Sequence, residues 1–319
     1  MRVLLWHVHG SWTTALVQGS HQYLLPVLPD RGPDGRGRAQ TWDWPPNAVE
    51  IPVDELRDAD IDVVILQRPI EPVLLRLWTG RVGGADLPAV YVEHNAPPGP
   101  AAASPHPLAG QTAIPVVHVT HFNRLMWDCG AAPTTVVEHG VVDPGYRYTG
   151  EHASLAAVVN EPVRRWRVAG TDLLVELSRE LPLDVYGMGM AALAELEPGL
   201  TGRLHENLPQ AELHAALGRH RAYFHPYRWT SLGLALVEAM TLGLPVLAWS
   251  TTGAPDAVPS EAGVLTADPS VLADAARRWL YDADEAREMG RAARRHALEH
   301  FGLQRFLADW DRLLKEVTR

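Results

Sequence analysis

Two successive series of short apolar strands, each alternating with Ala- and Leu-rich helical stretches, run through this chain. This alternation is typical of parallel α/β units, in which a helix crosses back after each buried strand. The first series predicts strands at Val3–Val8, Asp62–Leu66, Val90–Glu93, Val116–Thr120 and Thr135–Val137. The second series predicts strands at Leu155–Val159, Leu183–Tyr186, Ala222–Phe224, Val246–Ala248 and Gly263–Leu265, with helices at Thr171–Glu180, Gln210–Leu217, Leu234–Thr241 and Val271–Tyr281.

The length of the chain, 319 residues, suits two domains of about 150 residues each. The Pro- and Gly-containing segment Val142–Glu151 is the expected linker, which predicts an N-terminal domain over 1–145 and a C-terminal domain over 151–300. Phe301–Val317 has the pattern of an amphipathic helix, and we expect the segment 301–319 to return to the first domain. The sequence thus predicts an α/β fold of two Rossmann-like domains that face each other across a cleft. Ligands are expected beyond the carboxyl ends of the strands.

Charge and composition exclude several classes of protein. A formal charge of -10 argues against a general nucleic-acid binder, which needs a basic surface. The single cysteine, Cys129, cannot form an intramolecular disulfide and fits a reducing cytoplasm. No apolar run approaches the roughly 20 residues that span a bilayer, and the N-terminus does not have the pattern of a signal peptide. We therefore expect a cytoplasmic protein without a transmembrane segment; peripheral contact with a membrane stays open.

The segment Tyr223–Val258 contains the most informative candidates for ligand binding. A strand that ends near Phe224 leads into a loop with Ser231, Leu232 and Gly233, and a helix then begins near Leu234. The free N–H groups and the dipole at such a helix start favour an anion. Glu238 lies about one turn into this helix, where its carboxyl group can accept hydrogen bonds from a ribose diol while phosphates sit at the helix end.

This segment resembles the signature of the group 1 family of retaining glycosyltransferases, which have the GT-B fold. The positions that carry the resemblance are Pro226, Gly233, Leu234, Glu238, Ala239, Met240, Gly243, Pro245, Val246 and Gly253. The resemblance implies transfer of a sugar from a nucleotide-diphospho-sugar to an acceptor hydroxyl, with retention at the anomeric carbon and without a metal or another cofactor. It also implies that Glu238 holds the donor ribose. Thr230 stands where the family has a glutamate that contacts the transferred sugar, so Thr230 is a catalytic candidate that departs from the pattern.

Weaker similarities extend over the rest of the second half. Arg164, Arg165 and Arg167 precede Gly170 in a stretch that resembles the family's diphosphate-binding segment, although the family's lysine is absent. Guanidinium groups bind a diphosphate well, so Arg164 and Arg167 are expected to act in catalysis and Arg165 in donor binding. Gly187 resembles the family's strand-to-glycine turn beside the nucleotide. Leu204–Leu213 resembles the stretch that cradles the base, and Val136–Asp143 resembles a further family motif with His139 in place of asparagine.

In the first half, His94 ends a predicted strand, as does a histidine near the acceptor side in the resembled family. The residues His9, Gly10, Ser11 and Trp12 follow the first strand and are acceptor-side candidates. The closely spaced histidine pairs His7/His9 and His118/His121 lack the cysteines or carboxylates of a zinc motif, so no metal site is expected.

Two other functions stay open at this level. One is a sugar-nucleotide epimerase or hydrolase on the same scaffold, which would convert the donor with no acceptor present. The other is a non-catalytic nucleotide-sugar-binding partner subunit, which the threonine at position 230 favours. The sequence leaves open whether the acceptor of a transferase would be a glycan, a lipid-linked molecule or a small molecule.

Overall fold

The computed structural model describes residues 1–319 and consists of two compact units. The first unit contains Met1–Val142 together with Leu303–Arg319, and the second contains Asp143–Gly302. The chain therefore passes from one unit to the other twice, once after Val142 and once after Gly302.

The first unit is built on a parallel sheet of seven strands. Its strands are β1 (Arg2–Leu5), β2 (Gln22–Val27), β3 (Ala48–Pro52), β4 (Val63–Leu66), β5 (Ala89–Glu93), β6 (Val116–His118) and β7 (Thr134–Val136). They lie in the order β3-β2-β1-β4-β5-β6-β7, and the helices are α1 (Gly10–Leu16), α2 (Glu71–Thr79) and α3 (His121–Met126). The strand order reverses between β1 and β4, the place where open α/β sheets bind ligands.

The last helix, α12 (Leu303–Val317), also belongs to the first unit. Its buried Phe306 and Trp310 pack edge-on against Trp12, with ring centroids 6.4 and 5.4 Å away. A Cβ at Gly140 would lie 2.3 Å from the Cβ of Phe306, so glycine lets the helix approach this closely. The amphipathic C-terminal segment thus returns to the first half, as predicted. It begins at Leu303 rather than Phe301 because Phe301 ends the preceding helix.

The second unit has a parallel sheet of six strands in the order β10-β9-β8-β11-β12-β13. This is the 3-2-1-4-5-6 order of dinucleotide-binding folds. The strands are β8 (His152–Val158), β9 (Leu183–Gly187), β10 (Leu204–Glu206), β11 (His220–His225), β12 (Val246–Trp249) and β13 (Gly263–Thr266). The helices are α4 (Trp166–Ala169), α5 (Thr171–Glu180), α6 (Met190–Leu196), α7 (Gln210–Leu217), α8 (Leu234–Leu242), α9 (Ala254–Ala257), α10 (Pro269–Tyr281) and α11 (Ala283–His300).

Helix α8 is held in the interior of this unit, and every residue from Leu236 to Leu242 is buried. It packs on α11 through small residues, and a Cβ at Gly290 would lie 2.0 Å from the carbonyl oxygen of Gly243. Gly243 ends α8 with a φ of 98°, a left-handed conformation that favours glycine. This packing fixes the backbone of α8 and therefore the position of each polar side chain that the helix carries.

The predicted fold class is confirmed: the chain is α/β, with two parallel sheets flanked by helices. Some predicted bounds differ, since β1 ends at Leu5 rather than Val8 and β6 ends at His118 rather than Thr120. In both places the chain leaves the sheet to start a helix within a few residues, so the last apolar residues of the run lie in the connection. None of the helices in residues 1–319 combines the length and the apolar character that crossing a membrane requires.

Candidate functional site

The predicted donor-side residues of the second unit lie in loops at one edge of its sheet. Arg164 and Arg165 follow β8, Gly187 ends β9, and the loop 226–233 follows β11. Strands β9, β8 and β11 are neighbours and run parallel, so their carboxyl ends share this edge. The topology therefore brings the three loops together at the point where the strand order reverses.

Glu238 is the most informative residue at this edge. It lies on α8 with only 9% of its surface exposed, and its carboxyl group makes no hydrogen bond within the chain. Its nearest basic neighbour is His214 on α7, whose Nε2 lies 3.8 Å from Oε2 of Glu238, beyond hydrogen-bond distance. That Nε2 is itself buried and has no hydrogen-bond partner. Buried polar groups are almost always partnered, so two facing groups without partners indicate a place for a ligand's hydroxyl groups.

The N-terminus of α8 is open. No side chain caps it, and its first turn contains no acidic residue. A Cβ at the N-cap residue, Gly233, would lie 2.6 Å from Cε1 of His225, so only glycine fits above this ring. Burial lowers the pKa of His225 to about 3, and the ring is therefore neutral near pH 7. The free N–H groups and dipole at this helix end are the feature that binds phosphate in related folds.

The loop before α8 holds Thr230, Ser231 and Leu232. Ser231 and Leu232 are buried, and the carbonyl oxygen of Ser231 accepts a hydrogen bond from the backbone N–H of Gly253 at 3.0 Å. Thr230 is half-buried and makes no hydrogen bond within the chain. Its hydroxyl is a neutral donor and acceptor at the position where the resembled family has a carboxylate.

Two of the three predicted arginines are paired with carboxylates. Arg164 pairs with Glu161, and Nη1 of Arg167 lies 2.8 Å from Oδ2 of Asp172. Both arginine side chains are 72% exposed, so these pairs are surface contacts that water weakens.

Arg165 differs from its two neighbours. It is half-buried, and its guanidinium carbon lies 5.4 Å from the centroid of the Tyr227 ring. No carboxylate pairs with it. Cation–π contact orients a guanidinium without neutralising its charge, so Arg165 is the member of the group best prepared to meet an anion.

A fourth arginine, Arg228, was not predicted. It donates from Nη1 and Nη2 to the carboxylate of Asp172 at 2.5 and 2.9 Å. Burial alone would raise the pKa of Asp172, but the hydrogen bond and charge of Arg228 and the charge of Arg167 bring it below its ordinary value. Asp172 therefore ties the loop after β11 to the start of α5. A charged residue in the loop after β11 was the only sequence signal for this role.

The glycine turn after β9 requires glycine for two reasons. Gly187 has a φ of 139°, and a Cβ there would lie 2.2 Å from the carbonyl oxygen of Val159. The helix that follows is already capped, because Glu206 accepts hydrogen bonds from the backbone N–H groups of Gly189 and Met190 at 3.0 and 2.8 Å. The N-terminus of α6 is thus occupied by a side chain, whereas that of α8 is open.

In the first unit, several acceptor-side candidates cluster at the carboxyl edge of the sheet. The ring centroids of His9 and His94 lie 4.0 Å apart, and those of Trp12 and His94 lie 5.0 Å apart in an edge-on arrangement. Gly10 begins α1, where a Cβ would lie 2.3 Å from the ring of Trp42, and Ser11 follows it, half-buried. The structure therefore groups His9 and Trp12 with His94, and places Gly10 and Ser11 in the first turn of α1.

Burial keeps the imidazoles of His94 and the nearby His139 neutral. It lowers the pKa of His94 well below 6.5, and positive charge on His9 or His139 would lower it further. Burial, together with His9 and Arg305, lowers the pKa of His139 to about 3. In the sequence, His139 is notable only because it replaces the asparagine of a family motif. In the structure, its Nδ1 is buried and lacks a partner.

The other histidine pairs serve the local structure. Nδ1 of His7 lies 3.2 Å from the carbonyl oxygen of Gly37, and Nε2 of His118 lies 3.4 Å from Sγ of Cys129. Among residues 1–319, no group of three or more His, Cys, Asp or Glu side chains is arranged to hold a metal ion.

Comparison with known proteins places these features in a family context. Residues 193–296 match the family model described as glycosyl transferases group 1. No curated protein matches the chain. Among solved structures, it is similar to sucrose-phosphate synthase from Thermosynechococcus elongatus, with 15% identity, a TM-score of 0.70 and 99% of both chains covered. It is also similar to Anabaena HepE in complex with UDP, with 14% identity, a TM-score of 0.71, and 99% of this chain and 100% of that chain covered.

AviGT4, a glycosyltransferase of avilamycin A biosynthesis, is a further structural neighbour, with 15% identity, a TM-score of 0.62, and 100% of this chain and 98% of that chain covered. At these identities the neighbours report on the fold, and the family model covers the α7–α8 region where Glu238 and His214 meet. Residues 193–296 are thus similar to the group 1 glycosyltransferases, and the chain as a whole shares the fold of these solved structures.

Proposed function

We propose that the protein transfers a glycosyl group from a nucleotide-diphospho-sugar to the hydroxyl group of an acceptor. The observation that carries this proposal is the approach of Glu238, on helix α8 with its open N-terminus, to His214 on α7: neither the carboxyl group nor Nε2 of the ring makes a hydrogen bond within the chain. A ribose diol supplies the hydroxyl groups that this pair lacks, and a diphosphate supplies the anion that the helix end favours.

Electrostatic stabilisation of the leaving group is the proposed source of catalysis. As the glycosidic C–O bond breaks, negative charge develops on the diphosphate. Arg165 and the N–H groups at the start of α8 stabilise it there, and the proposal requires no metal ion. The exposed Arg164 and Arg167 remain second candidates, which would first have to release Glu161 and Asp172.

The proposed reaction retains the anomeric configuration, as in the resembled family. The acceptor oxygen attacks the anomeric carbon on the face that the diphosphate leaves, and a diphosphate oxygen takes the acceptor proton. No enzyme nucleophile takes part in this scheme. The cluster of His9, Trp12 and His94 is proposed to bind the acceptor side of the reaction, and Thr230 to contact the transferred sugar.

The first donors to test are uridine-based. HepE structures similar to this chain contain UDP and UDP-glucose. A thermal-shift panel should compare nucleoside diphosphates and their sugars on the wild type and on Glu238→Ala. Stabilisation by one base that is lost in the variant supports the donor site, and no shift with any nucleotide contradicts it.

A non-catalytic nucleotide-sugar-binding subunit is the second candidate function, and Thr230 is the observation that favours it. A hydroxyl in place of the family carboxylate removes one charged contact to the transferred sugar. Such a protein would bind the nucleotide as strongly but would turn over no combination of donor and acceptor.

A further inference from the structure

The side-chain amide of Gln67 has one allowed orientation. Gln67 is buried directly after β4, and its Nε2 lies 2.8 Å from the backbone carbonyl oxygen of Trp6. A carbonyl oxygen only accepts hydrogen bonds, so the end of the amide that faces it must be the NH2 group. The amide oxygen, Oε1, therefore points the other way, toward His94.

This orientation determines which nitrogen of His94 carries the proton. Nε2 of His94 lies 3.0 Å from Oε1 of Gln67, and an amide oxygen also only accepts. Nε2 must therefore be the donor. A neutral imidazole has one N–H, so Nδ1 carries a lone pair and no proton. Burial lowers the pKa of His94 well below 6.5, so a second proton does not fill Nδ1 near pH 7.

The bare nitrogen is accessible. Nδ1 of His94 makes no hydrogen bond within the chain and, unlike Nδ1 of His139, is not fully buried. The ring has no room to turn freely, because the ring of His9 lies 4.0 Å away and Trp12 meets it edge-on at 5.0 Å. A hydrogen-bond acceptor is therefore held in place at the carboxyl edge of the first sheet.

The loop that carries Gln67 is fixed as well. The backbone N–H of Gln67 donates to Oε2 of the buried Glu71 at 2.5 Å, and the other oxygen of Glu71 accepts from Nε of Arg68 at 2.7 Å. Gln67 is therefore held through its backbone and through both ends of its amide.

We infer that Gln67 is a positioning residue that fixes His94 as the Nε2–H tautomer, so that Nδ1 accepts a hydrogen bond from a substrate hydroxyl. The tautomer follows from the geometry of this unit alone, whereas the substrate role rests on the proposed transferase function. A group that only accepts hydrogen bonds, such as a carbonyl or ether oxygen, gains nothing from a bare nitrogen. The site therefore selects for a hydrogen-bond donor at this point, and a hydroxyl group is the donor that a sugar or an alcohol supplies.

The tautomer can be measured without any substrate. Long-range ¹H–¹⁵N spectra of protein labelled at histidine distinguish a protonated ring nitrogen from a bare one, and loss of the signals in His94→Gln assigns them. We expect the wild type to show a protonated Nε2 and a bare Nδ1 at His94. A protonated Nδ1 in the wild type would overturn the inference, and this result depends on no variant other than the assignment control.

The variant Gln67→Met removes the acceptor while keeping a side chain of similar length. We expect it to release His94 into a mixture of both tautomers. Gln111→Met is the matched control, because Gln111 bonds only backbone groups of its own loop, with Nε2 at 2.8 Å from the carbonyl oxygen of Ile114. It should leave the His94 signals unchanged. A pure Nε2–H tautomer in folded Gln67→Met would show that Gln67 does not set the proton.

Kinetics then test the substrate role separately. Where transfer is detected, Gln67→Met should lower kcat/KM for the acceptor or sugar hydroxyl by about tenfold, while the affinity for the nucleoside diphosphate stays constant. A switch of tautomer without any change in these kinetics would overturn the hydroxyl role. Failure of the proposed function appears differently, as no turnover in the wild type despite the expected tautomer.

Discussion

Replacement of Glu238 by glutamine should weaken nucleotide binding without destabilising the free protein. Glu238 is only 9% exposed, and its carboxyl group accepts no hydrogen bond within the chain and stays 3.8 Å from Nε2 of His214. Glutamine therefore forfeits no hydrogen bond of the free protein, and the replacement costs the free protein little. The expected melting temperature of ligand-free Glu238→Gln is close to that of the wild type.

The loss on binding follows from the hydrogen bonds that a ribose diol would donate. Each hydrogen bond to an ionised carboxylate contributes about 1.5–3 kcal/mol, and glutamine keeps one neutral acceptor. A net loss of about 2–3 kcal/mol raises the Kd for the nucleoside diphosphate roughly 30- to 140-fold. At a ligand concentration of about 100 times the wild-type Kd, the stabilisation falls from about 2.7 kcal/mol to about 0.3–0.9 kcal/mol.

Thermal unfolding and calorimetric titration measure these quantities directly. For a domain of this size the wild-type shift is roughly 5–10 °C and that of the variant roughly 1–3 °C. Glu71→Gln is the matched control, since Glu71 is fully buried but accepts hydrogen bonds from Gln67 and Arg68. It should lose about 2–3 kcal/mol of stability with no change in nucleotide affinity. An unchanged ligand shift in Glu238→Gln, or a destabilisation equal to that of Glu71→Gln, would refute the reasoning.

Three further predictions concern single groups. His214→Leu removes the unpartnered Nε2 and should leave the stability of the free protein unchanged. In titrations it should reduce the discrimination between a ribonucleotide and its 2′,3′-dideoxy analogue. Unchanged discrimination would show that His214 does not contact the ligand. Arg165→Ala should weaken binding of the diphosphate about 10- to 100-fold relative to the nucleoside. Arg164 is exposed and paired, so Arg164→Ala should change diphosphate binding less than about threefold. Equal effects of the two variants would contradict the assignment of Arg165 to the diphosphate. The pKa values of His139 and His225 are lowered from 6.5 to about 3, so between these values the unfolded state binds more protons than the folded state. The free energy of unfolding should therefore fall as the pH is lowered from 6.5 toward 4, by up to about 1.4 kcal/mol per pH unit for each histidine. Urea unfolding at several pH values checks this, and a slope unchanged in the double variant with glutamine at both positions would contradict it.

Strands in the centre of each sheet were predictable because both of their faces are buried and their sequences are continuous apolar runs. Two outer strands of the first sheet were missed. β2 contains Pro26, which interrupts the pattern of a strand, and the edge strand β3 contains the half-exposed Glu50. Both strands depend on their neighbours in the sheet rather than on their own pattern.

Helix α11 was missed for a different reason. Its buried face consists of small residues, including Ala286, Gly290 and Ala297, and its other positions are largely charged. The face matters because Gly290 lets α11 approach the backbone at Gly243, but small residues give little hydrophobic contrast along the sequence. Close packing of this kind becomes visible only in three dimensions.

The residues of the candidate site, like the helices and strands, could be predicted from the sequence only in part. Gly233 and Glu238 could be identified from a local pattern, because a turn, a helix start and a carboxyl group follow one another within a few residues. His214 and Gln67 could not, since each acts on a residue of another element that only the fold brings close. The ranking of Arg165 above Arg164 also required the structure, because the sequence does not reveal which arginine is paired.

The central claim, glycosyl transfer with retention, is tested most directly by the product. The protein should be incubated with a panel of nucleotide-diphospho-sugars and hydroxyl-bearing acceptors in the presence of a metal chelator, and the products identified by mass spectrometry and proton NMR. We expect a glycosylated acceptor that forms only when donor and acceptor are both present and has the anomeric configuration of the donor. Consumption of the donor without an acceptor, an inverted product, or nucleotide binding without any turnover would contradict it.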